Sequence, residues 1–180
     1  MLSERKKLEQ CAREALKKAG VKKGEIVLDC CCGMGYYSIP ASSLVGEEGL
    51  VYAIDSDRGR LHELEKFVKL GLAKNIKIMQ EDVEKKISLP DNSVDVVLLY
   101  DIFWYFRPSE ENLSRLLLEI QRIVKPYGLI SVFPTHIDSN QLQFFKNKMN
   151  RLGFTLVSKL QCDLVHEKNI ESGKLLNYRK

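Results

Sequence analysis

Apolar residues follow two periodicities along this chain, and the period changes at turn residues. Residues 3–20 carry apolar side chains at helical spacing and end at Gly20, which predicts an N-terminal helix. Short apolar runs bounded by turn or polar residues predict five strands, at residues 25–30, 50–55, 76–80, 94–100 and 129–133. Helical spacing returns in four further stretches, at residues 36–45, 61–72, 113–124 and 142–152.

Two last predicted strands, residues 153–161 and 173–180, follow each other with no helix between them. Alternating strands and helices predict a parallel sheet with helices on both faces. Consecutive strands without a crossover predict an antiparallel pair at one edge. The pattern therefore predicts an α/β fold: a three-layer, Rossmann-like, seven-stranded, mostly parallel sheet with an antiparallel C-terminal edge pair. Residues 1–180 are predicted to form one domain.

Composition adds little to this picture. The chain has 180 residues, of which 44% are hydrophobic and 29% charged, as in ordinary globular proteins. No apolar run approaches the roughly 20 residues that span a bilayer, and the charged N-terminus differs from a secretory signal. We therefore expect a cytoplasmic protein without a membrane span, whose five cysteines are free thiols.

Charge is distributed unevenly along the chain. Residues 1–24 and residues 140–180 each carry 8 basic and 3 acidic side chains, whereas residues 25–139 carry 12 basic and 18 acidic ones. Solvated helix faces account for this pattern. A basic flank that meets an anionic substrate or RNA also accounts for it, and composition leaves both interpretations open.

Three carboxylates, Asp29, Asp55 and Asp82, finish or follow three successive predicted strands. Open α/β sheets bind their ligands beyond the carboxyl ends of the strands, near the first strand. Asp55 lies 20 residues after Gly35, and an acidic residue at about that distance past a glycine turn accepts hydrogen bonds from ribose hydroxyls. The pattern predicts a ligand that contains a nucleoside.

The glycine turn favours a ligand without a pyrophosphate. A dinucleotide needs the pattern G-x-G-x-x-G, so that a helix N-terminus approaches the phosphates. Counting from Gly33, the third glycine would fall at position 38, which is Ser38. Asp82 additionally offers an acceptor to the exocyclic amine of an adenine. A nicotinamide-dependent reductase is therefore disfavoured.

Four stretches of the chain resemble the class I S-adenosylmethionine-dependent methyltransferases, from about residue 20 onward. "VLDCCCGMGYYS" is similar to their first motif and "VYAIDSD" to their second. "MQEDVEKKISLPDNSVDVVLL" is similar to the third and fourth, and "LLLEIQRIVKPYGLI" to the helix and strand that follow. The resemblance is to the small-molecule branch that includes ubiquinone and menaquinone biosynthesis enzymes. It implies S-adenosylmethionine as cofactor and a small-molecule methyl acceptor.

The resemblance also implies roles for the residues around the first strand. Gly33 and Gly35 would form the turn around the methionine portion of the cofactor. Asp29 would help to hold its amino group, and the backbone around Tyr100 would close the methionine side. Cys31 stands where the family usually has its first glycine, and a positive φ at this position would cost cysteine roughly 1 kcal/mol.

The nucleoside half of the cofactor is assigned in the same way. Asp55 would bind both ribose hydroxyls, with Ser56 beside the adenine. Asp82 would accept from the adenine amine, and the Val83 N–H would face a ring nitrogen. The N-terminal helix, residues 1–20, would cover this site.

Three further positions depart from the family pattern. Tyr127 replaces a glycine of "KPGG", which is expected to alter only a turn. Trp104 and Tyr105 occupy positions where this branch often has histidines, so the acceptor pocket is expected to differ from that of the family.

Three consecutive cysteines follow the first strand. In an extended strand, Cys30 and Cys32 would face one side and Cys31 the other, a poor start for a tetrahedral metal site. Small, tightly packed residues are the favoured interpretation, and no metal site is predicted. The sequence does not show where Cys11 and Cys162 lie in space, so a site for a metal or an arsenical that includes them stays open.

Acceptor chemistry depends on the segment after the fourth strand. A base is needed if the acceptor loses a proton, and Asp101 is the candidate. The alternative role of Asp101 is a helix or turn cap in the loop that follows. His136 is a second candidate base. Arg107 is either a site for an anionic acceptor or a surface charge. The stretch "DIFWYF", residues 101–106, is expected to form a wall for a planar or apolar acceptor, or a lid on the N-terminal helix.

Two other functions share the same cofactor site. An RNA or protein methyltransferase would keep it, but "LYDIFW" differs from the N-P-P-Y signature of enzymes that act on flipped bases or glutamine amides. A methyltransferase fold that binds the cofactor or a partner without transferring methyl groups is the second alternative. The sequence leaves the identity of the acceptor and the oligomeric state open.

Overall fold

The computed structural model describes residues 2–71, 73–103 and 110–180, and these form seven strands and five helices. The strands are β1 (Ile26–Cys30), β2 (Leu50–Asp55), β3 (Ile76–Gln80), β4 (Val94–Tyr100), β5 (Val124–Phe133), β6 (Thr155–His166) and β7 (Asn169–Arg179). The helices are α1 (Leu2–Ala19), α2 (Ser38–Val45), α3 (Arg58–Lys69), α4 (Glu110–Ile123) and α5 (Ser139–Arg151). Within these residues, every helix is too short or too polar to cross a membrane.

The strands form one sheet in the order β3-β2-β1-β4-β5-β7-β6. The pairs among β1 to β5 are parallel, and β7 is antiparallel to both β5 and β6. This topology confirms the predicted fold class. Because the direction reverses twice after β5, β6 runs the same way as β5. The carboxyl end of β6 therefore lies at the same edge of the sheet as the carboxyl ends of β1 and β4.

Helices cover both faces of the sheet. Val27 belongs to an apolar cluster that contains residues of α1 and α2, whereas Leu28 belongs to the cluster of α4 and α5. Leu64 of α3 packs with residues of α2 and β2. Val96 and Val97 of β4 are both fully buried, one in each cluster. A central parallel strand covered on both sides produces such a continuous apolar run.

β5 begins earlier than the apolar pattern predicts. Val124 follows directly on α4 and pairs with Val94, and the next pair is Val96 with Leu129. The intervening residues form an irregularity in the ladder, where Tyr127 has a φ of 64° and an exposed side chain. The prediction that Tyr127 belongs to a turn is wrong, because the residue lies within β5, at an irregular position of the ladder and with its side chain in solvent.

The hairpin of β6 and β7 is longer than predicted. Residues 162–166 and 169–172 were expected to lie outside strands, but the ladder continues to the pair His166 and Asn169. Residues 167–172 are all exposed, and Ile170 is the one apolar residue among them. They therefore lack the alternation of apolar and polar residues that predicts a half-buried strand. The longer hairpin carries His166 to the carboxyl edge of the sheet.

Candidate functional site

The turn after β1 is held against the end of β2 by hydrogen bonds. The Cys32 N–H donates to the Ile54 carbonyl at 2.9 Å, and the Gly35 N–H donates to the Cys32 carbonyl at 2.9 Å. Cys31 has a φ of 60° and Gly33 a φ of 55°. The position where cysteine replaces the family's glycine thus does require a positive φ, which carries the expected cost of about 1 kcal/mol.

Asp55 closes this turn from the end of β2. Its Oδ2 accepts from the Gly33 N–H at 2.8 Å, and its Oδ1 accepts from the Asp57 N–H at 2.9 Å. Asp57 in turn caps α3 by accepting from the N–H groups of Gly59 and Arg60. The buried Asp55 carboxylate is therefore fixed in orientation by two backbone amides, while each oxygen keeps a lone pair for a further donor.

Gly35 has a packing role in the described structure. A Cβ atom at this position would overlap the Leu64 Cδ1 atom of α3, and its φ is 76°. A Cβ atom at Gly33, by contrast, would lie 3.9 Å from the nearest atoms of Arg60. Gly33 therefore has room for a Cβ atom in ordinary contact with Arg60, whereas Gly35 allows α3 to approach the turn.

Asp29 is buried directly behind the turn. Its Oδ2 accepts a hydrogen bond of 2.5 Å from the Ser38 hydroxyl at the start of α2. Burial raises the pKa of Asp29 to about 6; the Ser38 hydrogen bond opposes this shift and the nearby Asp55 carboxylate adds to it. The Asp29 carboxyl therefore titrates in a range close to neutrality.

The residues assigned to the adenine lie beside β2 and β3. Asp82 Oδ1 accepts from the Glu84 N–H at 3.0 Å, its Oδ2 lies 3.4 Å from Lys85 Nζ, and 42% of its side chain is exposed. Val83 is buried in the core cluster, and Ser56 is exposed. The Asp82 carboxylate is thus accessible and bound only to its own loop within the described residues.

A cavity of about 830 Å³ opens between the turn, the end of β4 and the tip of the β6–β7 hairpin. We call it the turn cavity. Five predicted site residues line it, namely Cys31, Gly33, Tyr100, Asp101 and His136. The remaining ones, Asp29, Gly35, Asp55, Ser56, Asp82 and Val83, lie outside its lining. Asp55 is joined to the turn cavity through its hydrogen bond with Gly33.

Asp101 meets two histidines at the turn cavity. Thr135, in the loop after β5, donates its hydroxyl to Asp101 Oδ1 at 2.7 Å. His166 Nδ1 lies 2.8 Å from Asp101 Oδ2, and His136 Nε2 lies 3.7 Å from Asp101 Oδ1. The two Nε2 atoms of His136 and His166 are 3.0 Å apart. The two predicted candidates, Asp101 and His136, are therefore brought together, and His166 joins them.

His166 was not predicted as a site residue because the first strand of the predicted antiparallel pair ends at residue 161, five residues before it. The residue is positioned by Tyr37, at the start of α2: its hydroxyl donates to the Val165 carbonyl at 3.0 Å and accepts from the Val165 N–H at 2.8 Å. The Tyr37 ring also packs edge-on against Tyr100, with ring centroids 4.6 Å apart. A tyrosine after a glycine turn carries no signal for this long-range contact.

Backbone strain concentrates around the turn cavity. Six residues other than glycine have positive φ values in the described part of the chain, and four of them line this cavity: Cys31, Asp101, His136 and Glu167. Such conformations cost free energy and cluster at functional sites. The strain therefore supports a functional role for this cavity on grounds independent of its side chains.

The three consecutive cysteines do not alternate as predicted. Cys30 is buried in the cluster of α4 and α5 and Cys31 packs against the same cluster, whereas Cys32 packs on the side of α3. The prediction that Cys30 and Cys32 share a face is wrong because the extended backbone ends at Cys30. A hydrogen bond with Cys31, followed by burial, raises the pKa of Cys30, and burial raises the pKa of Cys32. Neither thiol favours its thiolate form.

The prediction for residues 101–106 is wrong for Ile102 and Phe103. Ile102 and Phe103 are buried in the core cluster of α4 and α5, and the Phe103 ring packs edge-on against Phe145. These two residues form neither a wall of the acceptor pocket nor a lid on α1. The predictions for Trp104, Tyr105, Phe106 and Arg107 fall outside the described residues.

Comparison with known proteins identifies the family. Residues 27–128 match the family described as "Methyltransferase domain". The chain belongs to this methyltransferase family. The match includes the turn after β1, Asp55, Asp82 and Asp101, so the resemblance inferred from the motifs is confirmed.

Two relatives and one solved structure define the similarity of this methyltransferase-family chain further. The demethylmenaquinone methyltransferase of Geobacillus stearothermophilus is 28% identical over 137 residues, which cover 74% of this chain and 56% of that protein. The ubiquinone/menaquinone biosynthesis C-methyltransferase UbiE of Azotobacter vinelandii is 31% identical over 131 residues, or 72% and 50% of the two chains. This chain therefore spans about half the length of these relatives.

A crystal structure of a SAM-dependent methyltransferase from Aquifex aeolicus superposes with a TM-score of 0.75 and 27% sequence identity. The superposition covers 93% of this chain and 88% of the other. The shared fold therefore extends beyond the matched family region to almost the whole chain.

Proposed function

We propose that this chain binds S-adenosylmethionine at the turn after β1 and transfers its methyl group to a small-molecule acceptor in the turn cavity. The observation that carries the proposal is the fixed Asp55 carboxylate, which is hydrogen-bonded to Gly33 beside an open cavity. Family membership supports the same conclusion. In this proposal, residues 1–180 act as one methyltransferase domain.

The donor set fits an adenosine attached to an amino acid. Both Asp55 oxygens already accept one backbone N–H, so their remaining lone pairs suit the two hydroxyl donors of a ribose. Asp82 supplies an accessible carboxylate at the next strand end, which suits an adenine amine, and Ser56 and Val83 would flank the ring. Charge-assisted bonds of this kind are stronger than neutral ones.

The methionine half of the cofactor would lie along the turn. Gly33 and Cys31 offer backbone groups at the turn cavity and Tyr100 closes the side of β4, while Gly35 keeps the turn close to α3. Asp29, behind the turn, would stabilise the amino group through its field or through a water. When bound, S-adenosylmethionine supplies an electrophilic methyl carbon on a sulfonium.

The acceptor would enter from the side of Asp101. The turn cavity is large enough for a drug-sized molecule, and the names of the relatives from Geobacillus and Azotobacter point to quinone precursors as the first acceptors to test. Asp101 contacts His166 directly and lies near His136. These groups would take the proton of an acceptor that ionises, as general-base catalysis requires.

The helix α1 is linked to the turn and would shelter the cofactor. Arg5 donates to the Met34 carbonyl at 3.1 Å, and its guanidinium lies 3.7 Å from the centre of the Phe67 ring and 5.0 Å from that of Tyr36. One side chain thus connects α1, the turn and α3. Exclusion of water by such a cover favours methyl transfer, because alignment of donor and acceptor is the main requirement.

Two measurements test the proposal. Calorimetric titration with S-adenosylmethionine and with its demethylated product should give saturable binding, and a nicotinamide dinucleotide should bind far more weakly. Incubation with methyl-labelled cofactor and a cell extract, separated into small-molecule, RNA and protein fractions, should place the label in the small-molecule fraction. Label in RNA or protein alone would overturn the acceptor class, and binding without any transfer would favour a non-catalytic role.

A further inference from the structure

A carboxylate and two imidazoles converge at the edge of the turn cavity. Asp101 directly follows β4, His136 lies in the loop after β5, and His166 ends β6. One ligand atom from each residue lies within 4.8 Å of the other two, and no other set of three such groups occurs among the residues that the structure describes. We call these three residues the Asp101 cluster.

We propose that the Asp101 cluster is a binding site for one divalent transition-metal ion of the Zn²⁺ type. Two ligands about 2.1 Å from a shared ion are separated by roughly 3.0 Å at a right angle and by roughly 3.4 Å at a tetrahedral angle. The Nε2 atoms of His136 and His166 are 3.0 Å apart, and Asp101 Oδ1 is 3.7 Å from His136 Nε2. These two separations are close to those of ligands that share one ion, and all three ligand atoms lie within 4.8 Å of one another.

The contact between His166 and Asp101 has the distance but not the direction of a hydrogen bond. His166 Nδ1 lies 2.8 Å from Asp101 Oδ2, yet this buried nitrogen makes no directed hydrogen bond. A carboxylate and an imidazole that hold each other would align the N–H with the oxygen. His166 and Asp101 are therefore not held together by a directed hydrogen bond of their own.

The supporting structure holds the three ligands in place. Thr135 donates to Asp101 Oδ1 at 2.7 Å, a contact of the kind that orients carboxylate ligands. Tyr37 binds the N–H and carbonyl of Val165, the residue before His166. Asp101 and His136 both have a φ of 57°. Strain at two of three ligand positions indicates that their placement is maintained at a cost.

The ligand types select the class of ion. Two imidazoles and one carboxylate suit Zn²⁺, Fe²⁺, Co²⁺ or Ni²⁺, whereas Mg²⁺ and Ca²⁺ prefer a full set of oxygen ligands. Three protein ligands leave one or more positions open, and all three residues line the turn cavity. Because the proposed methyl acceptor would occupy this cavity, an acceptor oxygen could fill an open position. With an ion bound, the cluster would not act as a general base, and the ion would instead lower the pKa of that oxygen; this link, unlike the metal site itself, rests on the proposed function.

The three ligands were not evident from the sequence because they lie 35 and 30 residues apart, at positions 101, 136 and 166. Metal sites that are recognised from sequence have closely spaced ligands. A chain of hydrogen bonds from Asp101 through the histidines is the competing interpretation of the same distances, and it needs no metal. Direct measurement of metal binding distinguishes the two.

The decisive experiment titrates the metal-free, untagged chain with Zn²⁺ by calorimetry and with Co²⁺ by visible absorption. We expect one ion per chain and a cobalt spectrum without thiolate charge-transfer bands. The variants His136→Gln and His166→Gln should each weaken binding roughly tenfold or more, as should Asp101→Asn. The control is His62→Gln, which removes the only other histidine of the chain, an exposed residue of α3.

Each outcome has a defined meaning. Absence of binding, binding that survives both cluster histidine variants, or a cobalt–thiolate spectrum would overturn the metal site. Circular dichroism verifies folding, and His136, in a loop after β5, provides a variant outside the sheet. Titration of the wild-type chain with S-adenosylmethionine separates the two proposals. If this chain binds the metal ion but not S-adenosylmethionine, only the proposed function is overturned.

Discussion

The Asp55 carboxylate accepts a hydrogen bond from the Gly33 N–H at 2.8 Å. This contact joins the end of β2 to the turn after β1. It holds Asp55, the predicted ribose ligand, against the predicted glycine that lines the turn cavity. The Asp55 side chain therefore both stabilises the shape of the turn and is the proposed ligand of the cofactor ribose.

Substitution Asp55→Ala should therefore weaken S-adenosylmethionine binding by roughly 1–3 kcal/mol, because charged hydrogen bonds to the ribose are lost. Calorimetric titration of the wild-type and variant chains measures this change. The matched control is Asp163→Ala, an exposed carboxylate on β6, which should leave the affinity unchanged. Equal affinities of the Asp55 variant and the wild type would contradict the role of Asp55.

The positive φ of Cys31 makes a second prediction, for stability. A β-branched residue tolerates this conformation worse than cysteine does, and glycine adopts it freely. Cys31→Val should lower the free energy of unfolding by at least about 1 kcal/mol relative to Cys31→Gly. Urea unfolding at neutral pH measures the difference. Two variants of equal stability would show that the turn relaxes to a negative φ.

The fold could be predicted because its signals are local. The apolar runs of β1, β2, β3 and β4 were located to within one residue, since buried parallel strands are short, apolar and bounded by polar residues. The carboxylates at their ends followed directly, as in the case of Asp55. The antiparallel pair at the edge was evident because no helix separates its strands.

The acceptor side could not be predicted in the same way. His166 reaches Asp101 only through the extension of an exposed, polar hairpin, and Tyr37 supports it through a contact 128 residues distant in sequence. Ile102 and Phe103 looked like pocket residues but are buried in the core. Nothing in a local pattern distinguishes an apolar residue that packs inward from one that lines a pocket.

Asp29 should make stability depend on pH. Its pKa is raised by burial to about 6, from about 3.9 in an unfolded chain. Between these values the native state holds a proton that the unfolded state has released, so this group's contribution to stability falls as the pH rises from 4 to 6. The loss is at most about 3 kcal/mol, from the 1.36 kcal/mol that each pKa unit represents.

The variant Asp29→Asn cannot titrate and isolates this effect. The free energy of unfolding of the variant, minus that of the wild type, should rise between pH 4 and pH 7 by up to about 3 kcal/mol. Urea unfolding of both chains at pH 4, 5, 6 and 7 gives the difference. A difference that stays constant across this range would show that Asp29 keeps an ordinary pKa.

Arg5 provides a test of the cover formed by α1. Deletion of the whole helix would expose the core, because Ala12 and Leu16 are fully buried. Arg5→Ala keeps the helix and removes the contacts of one side chain, with the Met34 carbonyl, the Phe67 and Tyr36 rings and Glu9. It should weaken S-adenosylmethionine binding by about 1 kcal/mol, the typical size of a cation–π contact or a hydrogen bond. Arg13→Ala, which loses a contact with Ser43 instead, should bind normally; equal loss in both variants would contradict a specific cover.

The variant Tyr37→Phe tests whether the Tyr37 hydroxyl positions His166 for metal binding. Loss of the hydroxyl leaves the buried N–H and carbonyl of Val165 without this partner, which should lower the free energy of unfolding by about 1–3 kcal/mol. The end of β6 should then loosen, so the affinity for Co²⁺ should fall although every metal ligand is retained. The control is Tyr36→Phe, a neighbouring residue of the turn cavity. Loss of stability with an unchanged affinity for Co²⁺ would show that Tyr37 supports the hairpin but does not position His166.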